Sequence, residues 1–195
     1  MAEDVVRAKR FELVDDEGEV RAILGPGPDD SVGLSFLGKG TAAERTSVGI
    51  NTGGSAFVDT RDATGGGGIR LGVEEEGTAV IRLRDQQGRD RCNIGYRPAE
   101  AGDGPNTIGI RFADENGRGQ AQLGVAPNGD ANLILYDQAC NEKVSLVVEA
   151  GGGRPTITLN DGQSIPRVGI SLYEDGTPIL GFLDERGSPV WRQEG

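Results

Sequence analysis

Three features of this 195-residue sequence predict an all-β fold made of tandem β-hairpin repeats of about 23 residues. A turn position, acidic in all but one copy, recurs at Asp15, Gly38, Asp62, Asp85, Asp114, Asp137, Asp161 and Asp184, with spacings of 23, 24, 23, 29, 23, 24 and 23 residues. Apolar residues alternate with polar ones on both sides of that anchor. Glycine returns at a fixed offset behind it. A period holding two alternating segments and two turns marks a repeated supersecondary unit, and such a unit needs its neighbours to cover its apolar side.

The first strand of each copy lies just before the anchor. Four residues upstream stand Phe11, Leu34, Val58, Ile81, Ile110, Leu133, Ile157 and Leu180; two residues upstream stand Leu13, Phe36, Leu83, Phe112, Leu135, Leu159 and Phe182, with Thr60 the exception. An apolar spacing of two predicts a strand with one buried face. Three residues past the anchor, Gly18, Gly65, Gly88, Gly117 and Gly187 fit a turn, because aspartate hydrogen-bonds turn backbone and glycine accepts positive φ. The anchor aspartates are therefore read as turn formers.

The second strand carries its own alternating pairs, such as Ala22 with Leu24, Ile69 with Leu71, Ala121 with Leu123 and Val168 with Ile170. Turn signals close it at Glu76-Gly77, Asn128-Gly129, Gly152-Gly153 and Asp175-Gly176. The links are too short for parallel crossovers, so 15 or 16 largely antiparallel strands are expected. The short segments Asp4 to Lys9 and Thr41 to Thr46 are the only helix candidates, and Val6 to Val14 reads better as the first strand. A one-sided sheet needs a cover, so the meander is expected to close as a propeller-like, prism or sandwich arrangement. The period is that of the MORN class of repeats, but the aromatic and glycine-rich consensus of that class is absent.

Two irregularities stand out. The third copy contains Gly65 to Gly68, which invites a bulge or a loop. The one long interval holds residues 97–105. Residues 1–195 are thus read as a single repeat domain of eight degenerate units, the last incomplete, with a half boundary at 97–105.

Phasing also places the unusual residues. Cys92 falls in an apolar column and is expected inward, whereas Cys140 takes the turn-glycine position and is expected to be exposed. Two lone thiols fit a reducing compartment. Trp191 shares the Cys92 column and is read as packing or capping of the last copy. Arg21, Arg91, Lys143 and Arg167 form a charged stripe one residue before that column, read as a solvated face.

Composition excludes several functions. Histidine is absent, so no Ser-His-Asp or Cys-His catalytic arrangement exists within the chain. The net charge of −11 disfavours nucleic acid as a partner. No apolar run approaches the length of a transmembrane helix, and residues 1–7 lack a signal-peptide pattern, so no membrane association and a cytoplasmic location are expected. No phosphate-binding or dinucleotide motif occurs, and the acidic turns lack calcium-loop spacing, so no cofactor and no metal are expected.

The sequence favours a non-catalytic structural or protein-interaction module that self-associates, with a protein or glycan as a further partner. The first alternative is a carbohydrate- or small-ligand-binding protein, with Tyr96, Arg97, Asp103, Tyr136 and Tyr173 as binding candidates near loops. The second is an enzyme that works through paired carboxylates, for which no catalytic pair is assigned.

Overall fold

The computed structural model describes residues 6–27, 31–41, 43–97 and 107–195. Sixteen strands run through them: β1 (Phe11–Val14), β2 (Val20–Pro26), β3 (Val32–Leu37), β4 (Glu44–Ile50), β5 (Ala56–Arg61), β6 (Gly68–Val73), β7 (Ala79–Arg84), β8 (Asp90–Arg97), β9 (Thr107–Ala113), β10 (Gly119–Val125), β11 (Ala131–Tyr136), β12 (Glu142–Val148), β13 (Pro155–Asn160), β14 (Pro166–Leu172), β15 (Pro178–Leu183) and β16 (Pro189–Glu194). The strand order follows the chain from β1 to β16 without a crossover. The chain divides into two compact units, Met1–Asp90 and Arg91–Gly195. The expected half boundary at 97–105 lies almost entirely outside the described residues. Among the described residues neither helix candidate forms; Thr46, for example, is in β4. Among the described residues no helix is long and apolar enough to cross a membrane.

This arrangement overturns the expected closure. The strands form an open sheet in sequence order, with β1 and β16 each at the end of the order, rather than propeller blades, a prism or a sandwich. The physical reason lies in the turns. The fully described links between successive strands are short antiparallel turns, and each strand pairs with the one before it in the order. Starting a blade or a second layer requires a link that leaves the ladder, and the order contains none.

The anchors behave as turn formers. Asp114 Oδ1 accepts the Asn116 and Arg118 N–H groups at 2.8 and 2.9 Å, and Asp184 Oδ1 accepts those of Arg186 and Ser188 at 2.8 and 2.9 Å. The same pair of bonds recurs at Asp15, Asp85, Asp137 and Asp161. At the fixed offset, Gly18, Gly88, Gly117 and Gly187 all take positive φ. Cys140 and Ser164 occupy that offset in two copies and adopt φ of 64° and 61°, a region that favours glycine. The third copy absorbs one extra residue, since the Asp62 N–H reaches Gly67 O rather than the residue four positions on. Three of its four glycines leave no room for a side chain: a Cβ on Gly66 would lie 1.9 Å from Gln86 O.

A bulge accompanies most of these turns. Leu13 pairs with Ala22 and Val14 with Val20, which leaves Arg21 as the extra residue. Lys143 and Arg167 are skipped in the same way. The charged stripe is therefore a set of bulge positions that turn a cation back toward its own anchor. Arg21 Nη1 lies 3.3 Å from Asp15 Oδ2, and Arg167 Nη1 lies 3.6 Å from Asp161 Oδ2. Arg91 departs from this, donating from Nε to Ala113 O at 3.0 Å.

The register bears out the phasing of the apolar columns but corrects their burial. Leu24 pairs with Leu34, Leu34 with Val48 and Val48 with Val58, and in the second unit Leu123 pairs with Leu133 and Leu133 with Leu146. These residues share one face of the sheet, yet Leu123 is 52 % exposed and Phe112 49 %. The opposite, polar face is the more enclosed one: Asp59, Ser47 and Ser145 are buried. On that face glycine removes side chains where neighbouring backbones crowd. A Cβ on Gly33 would lie 2.5 Å from Val48 O, and one on its partner Gly49 would lie 2.7 Å from Val32 O. Cys92 is buried, Cys140 is exposed, and both are free thiols. Trp191 is half-exposed and packs on Phe182, its cross-strand partner, with ring centroids 5.2 Å apart.

Candidate functional site

Two surfaces arise directly from strand alternation. The first is a polar groove in the Met1–Asp90 unit. Residues pointing away from the apolar columns line up across the strands: Ser35 pairs with Ser47, Ser47 with Asp59, Asp59 with Arg70 and Arg70 with Arg82. Ser35, Ser47, Asp59 and Arg70, together with Phe57 and Arg61, border an open groove of about 690 Å³. Asp59 and Arg61 of its lining belong to an ion-pair network that continues onto β7. Asp59, only 2 % exposed, directs Oδ2 at Arg61 Nη2 (3.2 Å) and Arg84 Nη1 (3.6 Å). Arg84 Nε also donates to Asp90 Oδ1 at 3.2 Å, and Arg82 pairs with Glu74. The Ser35 and Ser47 hydroxyls donate to the two oxygens of Glu44 at 2.8 and 2.9 Å. The Arg70 guanidinium lies over the Phe57 ring, 4.9 Å from its centroid.

The network consumes its own charges. A carboxylate clamped by two guanidiniums organises the strands β5 and β7, and removing one partner leaves a buried charge uncompensated. The groove thus offers hydroxyls, guanidinium edges and one aromatic face to a polar molecule.

Of the five residues nominated from sequence, the three tyrosines are placed, and they stand on different strands. Tyr96 stands on the apolar face, paired with Ile108 and 44 % exposed. Arg97 ends β8, with its side chain outside the described residues; Asp103 lies outside them altogether. Tyr136 ends β11 on the polar face, opposite Glu142, where burial and then the Glu142 carboxylate push its hydroxyl pKa up. Tyr173 follows β14, and its hydroxyl donates to Glu194 Oε1 at 3.0 Å while the Arg192 guanidinium lies 5.5 Å from its ring centroid. It borders a shallow depression of about 680 Å³ with Glu149, Arg154 and Asp175. From β8 to β14 is six strand spacings, on the order of 28 Å.

The sequence reading missed Asp59, Arg61 and Arg84. The signal was present in the outward-facing column, where an aspartate interrupts a row otherwise made of serine and arginine.

The acidic group Asp15, Glu17 and Glu19 places three carboxylate oxygens within 4.8 Å of one another. Each carboxylate already has partners. Asp15 holds two turn N–H groups and Arg21, Glu17 pairs with Lys39 at 2.7 Å, and Glu19 accepts the Gly40 N–H at 3.0 Å. This is a turn with its counter-ions.

The second surface is the apolar face itself. Its register-paired strand residues carry no charge in either unit, and Thr46, Thr60, Tyr96 and Gln193 are those among them with a hydroxyl or amide. No protein-family model matches this chain, and no curated protein matches it.

Proposed function

We propose that this protein is a non-catalytic structural and protein-interaction module whose working surface is the apolar face of its repeat sheet. The observation that supports this is the exposure of that face. Monomeric proteins rarely leave contiguous apolar patches beyond roughly 300–600 Å² uncovered, and a larger one marks an interaction surface. Here Leu24, Phe36, Val48, Ile69 and Leu71 in one unit, and Phe112, Leu123 and Ile170 in the other, are each between 45 and 52 % exposed. The repeat supplies this surface strand by strand, while the polar network and the turn aspartates supply rigidity. Carbene footprinting of the full chain in its native extract tests the reading. Protection of the face leucines relative to the denatured chain is expected; full labelling of that face overturns the proposal.

The groove around Asp59 favours a second reading, a small polar ligand such as a sugar held by Ser35, Ser47 and Arg61 over the Phe57 ring. A thermal-shift and glycan screen on the full chain checks it, and Phe57→Ala is expected to abolish any binding found. A ligand whose affinity ignores Phe57 and Arg61 argues against this groove.

A further inference from the structure

We propose that the apolar face of the Arg91–Gly195 unit is a self-complementary interface, packed face to face on the same surface of a second copy of this chain. The inference rests on the reading that this face is the working surface, and adds what covers it.

Area comes first. From Ile94 to Trp191, seventeen large apolar side chains of this face are 36–56 % exposed. At about 70 Å² each they leave on the order of 1,200 Å² of apolar surface, above the roughly 800 Å² per partner of a stable interface and at least twice the largest patch of a typical monomer. The strands that present them are continuous from β8 to β16, so the patch is one surface rather than scattered positions.

Chemistry selects the partner. The register-paired residues of the face offer no charge for a charged partner to pair with, and among them only Tyr96 and Gln193 carry a hydroxyl or amide. Recognition must therefore come from shape and apolar burial. The matching object is a second sheet with the same strand spacing, the same alternation and an equally uncharged face, and an identical chain supplies all three. Pairing about a two-fold axis makes one patch serve both partners and closes the assembly at two copies per face. Two twisted sheets pack with inner side chains interdigitated about 10 Å apart, a geometry these rows of leucine, isoleucine and valine can fill.

Leu133 and Leu146 are cross-strand partners near the middle of the patch, 40 and 39 % exposed. Their lysine variants put like charges at the centre of the interface but leave the single chain little changed. Gln122 lies on the polar face, so Gln122→Lys is the control. Light scattering of the full chain at tens of micromolar should give an even multiple of the 20.4 kDa chain mass. Leu133→Lys/Leu146→Lys should weaken association by about 100-fold or more, with unchanged circular dichroism, and Gln122→Lys should have no effect. A monomeric or trimeric wild type overturns the proposal, as does a double variant that still associates normally. If the variant misfolds, carbene footprinting of the purified wild type decides. Labelling at Leu133 and Leu146 must then rise on dilution, and constant labelling refutes the inference. A purified chain that stays monomeric while its face is protected in native extract refutes self-association but leaves the interaction role standing.

Discussion

Replacing Cys140 by glycine should stabilise the protein, whereas the parallel change at Ser164 should not. Both residues occupy the turn position that glycine holds in other copies, with φ of 64° and 61°. A left-handed backbone costs a side-chain-bearing residue roughly 1–2 kcal/mol, and glycine gives back about 0.5–1 kcal/mol through the entropy of the unfolded chain. The net gain at Cys140 is about 0.5–1 kcal/mol. Cys140 is exposed, so no packing is lost in the exchange. Ser164 starts from the same strain, but its hydroxyl oxygen accepts the Glu142 N–H at 2.9 Å across the neighbouring turn. That bond is worth about 0.5–1.5 kcal/mol, which cancels the relief. Equilibrium urea unfolding at fixed protein concentration is the assay, and thermal melting should show a rise of about 1–4 °C for Cys140→Gly alone. Equal effects of the two substitutions, or destabilisation by Cys140→Gly, would refute the account of the turn.

Three further outcomes follow from the geometry. Asp59→Ala should cost about 3 kcal/mol in urea unfolding, because it strands Arg61 and Arg84 on an enclosed face; a loss below about 1 kcal/mol would mean the pairs are already satisfied by solvent. Gly66→Ala should be severely destabilising, since its Cβ would lie 1.9 Å from Gln86 O, while Gly162→Ala, with nothing within 4 Å, should be neutral by the same melt. Acid should destabilise the fold. At Asp114, Asp137 and Asp184 the N–H of Arg118, Asn141 or Ser188 is the chief cause that holds the carboxyl below the ordinary value of 3.8, and at Asp161 it is the N–H of Gln163. A lowered native pKa contributes stability that is complete above 3.8 and disappears as pH falls through the lower native values. The urea midpoint should therefore drop below about pH 4, and Asp114→Asn, whose amide oxygen still accepts, should flatten that drop; an unchanged profile contradicts the role assigned to the anchor.

Much of the fold was legible because its signals are local. The alternation around Leu133 and Leu135, the aspartate at 137 and the turn offset at 140 lie within a few residues of one another, so strand, turn and face follow from sequence. The candidate site was not legible in this way. Asp59 joins Arg61 on its own strand but also Arg84, twenty-five residues away across β6, and only the register brings them together. The tyrosines illustrate the converse. They share a residue type and proximity to turns, yet Tyr96 and Tyr136 project from opposite faces and Tyr173 is engaged by Glu194 and Arg192.

By itself the sequence determined the building unit: two short strands, an aspartate-capped turn and an uncharged apolar column, because hydrogen bonding and side-chain alternation act over a few residues. Only the tertiary structure decided how the units combine. Local periodicity marks which face is apolar but not what covers it. Sequential hairpin pairing left the sheet open, the polar face enclosed around Asp59 and the apolar face available, and that choice depends on contacts between strands rather than on any single repeat.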